Sequence, residues 1–286
     1  MSEAQEVDEK PDQGEENPGS SLKFIDSPSD LVPGVYEGGL KTWECALDLV
    51  DYLESSKIRS PMGKVILELG CGTAIPSIYL LDRLFSLPKS TGLPMTHIHL
   101  QDYNAAVLQL VTLPNILLNW YMSPASAYFR ESISTCEVSF PLVDSTAPGE
   151  LPITPELVTA FRDSLLMFNI SLRFFSGSWE TFDIDESLSL PRDRGDAANR
   201  DRTYDVVLTS ETIYRVESLS ALIELMQKAV GQHEYQCLVA AKVLYFGVGG
   251  GVSEFVARVE GQSGRVGTVW ENSGGVGRKI MRVQWP

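Results

Sequence analysis

Short apolar runs alternate along this chain with longer stretches in which apolar positions recur every three or four residues. From Thr42 to Leu53 the residues Trp43, Ala46, Leu47, Val50 and Leu53 are interleaved with Glu44, Asp48 and Asp51, the pattern of an amphipathic helix. Lys64 to Leu69 then reads as a strand buried on both faces, because it is almost continuously apolar and is bounded by Pro61, Gly63 and Gly70. A helix through Ile78 to Leu84 leads to a second strand, His97 to Gln101, which runs into Asp102. Further strands are expected at Ser171 to Phe175, Tyr204 to Thr209 and Cys237 to Tyr245, with a helix from Leu219 to Val230 between the last two. The chain closes on Val266 to Trp270 and Lys279 to Gln284 around Gly274, Gly275 and Gly277, an antiparallel hairpin. Strands alternating with helices give an α/β fold of seven strands with helices on both faces.

Three segments stand outside this pattern. Residues 1–21 are rich in Glu, Pro, Gly, Ser and Gln, have little to bury, and are expected to be a disordered acidic tail. The remaining 22–286 read as one domain, interrupted by expected surface insertions at 121–153, rich in Ser and Pro, and at 185–203, which contains PRDRGDAANRDR. Within that domain Thr154 and Pro155 are set to cap and open a helix with Leu157, Phe161, Leu165 and Phe168 on one face.

The 286 residues carry a net charge of −15, six charges of which belong to the first 20 residues, so the body is itself acidic. An acidic body repels phosphate backbones and attracts a basic protein, so no direct nucleic-acid partner is expected. The four cysteines, Cys45, Cys71, Cys136 and Cys237, form no CxxC pair, and with three histidines they suggest neither a metal site nor a disulfide framework. No uninterrupted apolar stretch approaches a bilayer span and the first residues do not resemble a signal peptide, which points to a soluble intracellular protein without a membrane role.

Candidate chemistry gathers at the strand ends. Gly70 and Gly72 follow the first strand directly, where a backbone without Cβ lets a ligand approach closely. A dinucleotide fingerprint wants a small residue three positions after Gly72, but Ile75 stands there and Pro76 follows, so a ligand without phosphates is favoured. Asp102 ends the second strand, where a carboxylate can meet the two hydroxyls of a ribose. Ser176-Gly177-Ser178-Trp179 ends the third strand and can frame an adenine, although Trp179 alone is as readily a core residue. Ser210, Glu211 and Tyr214 gather at the end of the fourth. The Gly247 to Gly251 turn is either a place for substrate backbone to pass or a flexible turn, and without a following Lys-Ser/Thr pair it is no P-loop.

Glu68-Leu-Gly-Cys-Gly-Thr73 resembles the first motif of seven-stranded S-adenosylmethionine methyltransferases, and Glu211-Thr-Ile-Tyr214 resembles the acidic-x-x-aromatic signature of their protein-modifying branch. The combination of Gly38-Gly-Leu-Lys-Thr-Trp-Glu-Cys45, Gln101-Asp-Tyr-Asn104, Thr112-Leu-Pro-Asn115, Phe174-Phe-Ser-Gly-Ser-Trp179, Ser210 to Tyr214 and Ala241 to Gly251 is similar to the histidine protein methyltransferase family. That resemblance implies a Rossmann-like sheet in the order 3-2-1-4-5-7-6 with strand 7 antiparallel, and methylation of a histidine in a large-subunit ribosomal protein. It also implies S-adenosyl-L-methionine contacts from Thr42, Trp43, Glu44, Cys45, Ala46, Gly70, Gly72, Asp102, Tyr103, Asn104, Gly177, Ser178, Trp179 and Ser210. A cytoplasmic or nuclear location accompanies such a substrate.

Methyl transfer to an imidazole needs alignment more than a strong base, since a histidine with a pKa near 6.5 is largely neutral at pH 7. An acceptor for the other ring N–H selects the tautomer, and Glu211 is preferred for this because Asp102 is assigned to ribose, while Tyr214 can wall the substrate slot. A lysine substrate, which must first lose a proton, stays open as an alternative, as does a non-catalytic cofactor-binding chaperone of a basic ribosomal protein. An NAD-dependent oxidoreductase is disfavoured by Ile75 and by the lack of a catalytic tyrosine-lysine pair.

Overall fold

The computed structural model describes residues 38–55, 60–88, 92–133, 140–141, 143–144, 146–189, 203–232, 234–245 and 249–286. The acidic tail expected at 1–21 and the charged run at 190–202 lie outside the described residues. The strands are β1 Val65–Leu69, β2 Thr96–Asp102, β3 Ile170–Ser176, β4 Val206–Ser210, β5 Gln236–Lys242, β6 Arg265–Asn272 and β7 Arg278–Gln284. They form one sheet in the order β3-β2-β1-β4-β5-β7-β6, parallel except for β7, which pairs antiparallel with both neighbours. This is the order the resemblance implied.

Helices cover both faces. On one lie α1 Glu44–Ser55, α2 Ile75–Phe85, α3 Ala105–Met122, a short α4 Ala127–Ser132 and α5 Pro155–Met167. Their buried residues, among them Leu49, Leu81, Phe85, Trp120 and Phe161, pack on Ile66, Ile98 and Leu100. On the other lie α6 Ile184–Ser187, α7 Val216–Ala229 and α8 Val252–Gly261, whose Leu222, Met226 and Phe255 pack in one cluster with Leu67 and Leu69. Successive residues of β1 therefore enter opposite cores, which is why the strand reads as continuously apolar. Glu68, between them, is buried on the α2 face.

Thr154 caps α5 as expected, its hydroxyl accepting the Leu157 N–H at 3.3 Å. The long helix α3 was not evident in the sequence. Pro114 interrupts its hydrogen-bonding, and the helix accommodates it by a π-type turn over Leu108–Thr112 just before it. Among the described residues α3 is a helix long and apolar enough to cross a membrane by length and composition, yet its Ile116, Leu117, Trp120 and Tyr121 are buried against the domain's own core.

The first part of the segment expected as an insertion at 121–153 is packed, whereas residues 143, 144 and 146–150 are exposed as expected and 134–139, 142 and 145 lie outside the described residues. Tyr121, Ala125, Ser126 and Phe129 are buried, and Trp120 stands between Phe129 and Phe161 at centroid distances of 5.7 and 5.6 Å. The serines are tolerated there because their hydroxyls find acceptors, that of Ser126 donating to the Tyr121 carbonyl at 2.6 Å. The start of the second expected insertion is likewise packed, with Ser187 and Leu188 buried. Phe129→Ala is expected to lower the free energy of unfolding by about 3 kcal/mol, measured by urea denaturation. A residue on a mere surface insertion would change it by less than about 0.5 kcal/mol.

Candidate active site

Because β1 and β2 are in parallel register, with Leu69 opposite Gln101, the chain turning out of β1 at Gly70 lies directly beside Gln101 and Asp102. These two side chains satisfy the amides of the turn. Gln101 Oε1 accepts the Gly70 N–H at 3.3 Å and the Trp179 indole N–H at 2.9 Å, while its Nε2 donates to the Gly177 carbonyl at 2.7 Å. Asp102 Oδ2 accepts the Gly72 N–H at 2.9 Å and Oδ1 the Asn104 N–H at 3.0 Å. Burial raises the Asp102 pKa to about 6, against the lowering effect of these amides.

The far side of the turn is held from α3. Thr112 Oγ1 donates to the Gly72 carbonyl at 2.6 Å, and Asn115 Nδ2 to the Thr73 carbonyl at 3.2 Å. Gly70 has φ +60°, and a Cβ there would stand 2.6 Å from Thr212 Cγ2. Gly72 meets Gly39, whose Cα would lie 3.2 Å from an added Cβ, so two backbones touch where the segment ahead of α1 crosses the turn. Thr42 fastens that crossing by a 3.0 Å hydrogen bond to Thr73.

Behind the turn, Glu68 reaches the start of α2. Its Oε2 accepts the Ser77 N–H at 3.0 Å and also the Ser77 hydroxyl. Burial raises the Glu68 pKa to about 7.

A cavity of about 760 Å³ opens at this carboxyl edge of the sheet, a volume suited to a nucleoside-sized ligand. Of the residues singled out from the sequence, Trp43, Ala46, Gly70, Gly72, Asp102, Tyr103, Gly177, Ser178, Trp179, Ser210, Glu211 and Tyr214 line it. Thr42, Glu44, Cys45 and Asn104 are not among the lining residues. Thr42 and Asn104 hold backbone, Glu44 turns to Lys242 at 3.0 Å, and Cys45 is fully buried, its thiol pKa pushed far up by burial and by Glu211. Trp179, ambiguous in sequence, lines the cavity and is oriented by Gln101.

Glu211 lies on a left-handed backbone at φ +59° and is mostly buried. Its Oε2 accepts the Tyr245 hydroxyl at 2.6 Å, its Oε1 accepts the Cys45 N–H at 3.4 Å, and Lys242 Nζ approaches Oε1 to 3.8 Å. The Tyr245 ring meets that of Tyr214 edge-on at 6.2 Å. The carboxylate thus links α1, β4 and the exit of β5, and keeps acceptor capacity for one more donor.

Gly39, Lys41, Gln101, Lys242 and Tyr245 were missed as site residues. Gln101, Lys242 and Tyr245 fall at or just past a strand end and Gly39 and Lys41 just ahead of α1, but only the assembled sheet brings them together. Of the turn expected at 247–251, residues 247 and 248 lie outside the described residues, and Gly250 and Gly251 pack closely on the chain itself rather than leaving a passage for substrate backbone. Gly250 donates to the Tyr214 carbonyl at 3.0 Å and a Cβ on it would fall 2.3 Å from that oxygen, a Cβ on Gly251 would fall 2.9 Å from the Val243 carbonyl oxygen, and Arg215–Gly249 and Leu244–Gly251 form β-bridges. Among the described residues there is no cluster of His, Cys, Asp and Glu able to hold a metal ion.

No family model matches the chain. Two solved structures similar in overall shape are a ribosomal protein L11 methylase from Lactobacillus delbrueckii subsp. bulgaricus (9% identity, TM-score 0.38, 87% of this chain and 83% of that one) and a SAM dependent methyltransferase from Aquifex aeolicus (14%, 0.40, 93% and 98%). Sequence relationship is much stronger to proteins named histidine protein methyltransferase 1. The Schizosaccharomyces pombe protein is 37% identical over 239 residues, 84% of this chain and 61% of that protein. The Saccharomyces cerevisiae protein is 36% identical over 245 residues, 82% and 60%, and the Bos taurus homolog 35% identical over 245 residues, 85% and 54%. The chain spans between half and two-thirds of the length of these curated relatives. Along more than four-fifths of its own length, the chain is related by sequence to the histidine protein methyltransferase family.

Proposed function

We propose that this chain is an S-adenosylmethionine-dependent protein-histidine N-methyltransferase acting on a basic protein, specifically a large-subunit ribosomal protein, in the cytoplasm or nucleus. The observation that carries the cofactor assignment is the Glu68–Ser77 contact. In dinucleotide-binding folds the N–H groups at this helix start receive a pyrophosphate. Here the chain's own buried carboxyl group takes the Ser77 N–H, so that donor is not open to a phosphate. A ligand with an adenosine but no phosphate fits such a site.

Asp102, held by the Gly72 and Asn104 amides and lining the cavity, is placed to receive ribose hydroxyls. Trp179 and the Gly177–Ser178 backbone form the adenine side of the cavity, and Trp43 with Ala46 the side toward α1. Bound there, S-adenosylmethionine supplies an electrophilic methyl group. The protein's part is to hold the acceptor nitrogen in line and to receive the proton-bearing edge of the imidazole. Glu211 suits the second task, since Tyr245 and the Cys45 amide fix the direction of its carboxylate. Kinship with proteins named for histidine methylation supports imidazole as the acceptor, and the acidic body supports a basic protein as its carrier.

The direct test is to incubate the protein with radiolabelled S-adenosylmethionine and an extract from cells lacking it, then locate the methyl by mass spectrometry. Label on a histidine of a ribosomal protein is expected; label on lysine, or none despite cofactor binding, would overturn the reading.

The two carboxylates separate by role. Asp102→Ala is expected to weaken S-adenosylmethionine binding tenfold or more, about 1.4 kcal/mol, by calorimetry. Glu211→Gln is expected to leave that affinity within about threefold while cutting kcat/KM by about a hundredfold.

Glu68 has a pH signature. Its pKa is about 7 in the folded chain against 4.5 as the ordinary value, so the fold favours the protonated form. The stability this contributes is complete below pH 4.5 and is lost as pH rises through 7. Glu68→Gln, which does not titrate, is expected to gain in Tm relative to the parent as pH is raised from about 5 to about 8. A Tm difference independent of pH would show that Glu68 is ionised throughout.

A further inference from the structure

The β5 exit places a cation in the wall of the cavity. Lys242 lines it, largely buried, with its Nζ 4.4 Å from the centroid of the Trp43 ring, 3.0 Å from Glu44 Oε2 and 3.8 Å from Glu211 Oε1. An aromatic face and two carboxylates around one ammonium make the arrangement by which proteins recognise a lysine-type cation. Glu44 is well exposed and adds little, so the indole face and the buried Glu211 are the larger contributors.

We propose that Lys242 is a specificity-determining residue: its ammonium fills the cation-binding corner formed by Trp43, Glu44 and Glu211, so that the cavity admits a neutral nucleophile and turns away a substrate lysine. An incoming ammonium finds the indole face occupied and meets a like charge at the rim. A neutral imidazole meets no such repulsion, and the lone pair that Glu211 retains is enough for a single ring N–H. Lys242 also balances Glu211, so removing its charge both vacates the corner and leaves an unopposed carboxylate facing the cavity. The selectivity step rests on the transfer function proposed above; the existence of a cation-binding corner does not.

Two measurements test this. The first uses the protein substrate identified by label location and a copy in which lysine replaces the target histidine. The kcat/KM ratio for histidine over lysine is expected to fall roughly tenfold or more in Lys242→Met, and to stay near the parent value in Lys242→Arg, which keeps the charge. S-adenosylmethionine affinity and Tm are measured alongside, so that a misfolded variant is recognised. The second needs no activity. Lys242→Ala is titrated with n-butylammonium chloride and followed through the indole N–H resonance of Trp43. Saturable binding is expected in Lys242→Ala, and not in the parent or in Lys242→Ala combined with Glu211→Gln.

An unchanged ratio in Lys242→Met with cofactor affinity intact, or equal methylation of both substrates by the parent, overturns the proposal. So does the absence of alkylammonium binding by Lys242→Ala. If the parent methylates nothing, the transfer reading fails, and the alkylammonium titration still decides whether the corner binds cations.

Discussion

Backbone amides that leave a strand at a sharp turn lose their partners, and the site of this chain is organised by the way those partners are replaced. The parallel register of β1 with β2 sets Gln101 and Asp102 against the turn from Gly70 to Gly72, and their side chains accept the N–H groups that no strand can receive. Thr112 and Asn115 hold the carbonyls on the other side. A turn made of glycines would otherwise lose much conformational freedom on ordering; here four side chains from two elements fix it before any ligand arrives. The position of the cavity, the approach of the segment around Gly39, and the aim of Trp179 all follow from that fixed turn.

The sheet was legible because its central strands β1, β2, β4 and β5 are buried on both faces and Gly and Pro mark several of the turns between strands. Each strand expected from the pattern of apolar residues appears, with ends moved by at most three residues. What escaped was governed by contacts distant in sequence. Pro114 concealed α3, because nothing local announces that a π-type turn will absorb it. Ser123, Ser126 and Ser132 suggested solvent, but their hydroxyls bond to helix carbonyls and leave the adjacent aromatics free to pack. The glycines 249–251 suggested an opening, whereas a carbonyl of Tyr214 occupies the space.

The same division holds in the site. Gly70, Gly72 and Asp102 could be read because strand ends and glycines mark where a ligand sits on a parallel sheet. Gln101 could not, since its side chain acts on Gly70, Gly177 and Trp179, two of which lie more than 70 positions away in the sequence. Tyr245 and Lys242 likewise acquire meaning only when β5 brings them to Glu211, and Glu211 in turn proves to be held by its neighbours before it can serve any substrate.

Adenosine is among the commonest handles in cell chemistry, carried by ATP, NAD and coenzyme A as well as by sulfonium cofactors. A pocket that recognised only the base and the ribose would spend most of its time occupied by whichever of these is most abundant. Glu68 lies behind the glycine turn, buried and bonded to Ser77, where it need touch no ligand at all. By taking the Ser77 N–H it removes a helix-start donor that the phosphates of the commoner adenosine carriers would use. On the function proposed above, molecules that share the same recognised half are told apart by a side chain that the accepted ligand need never contact.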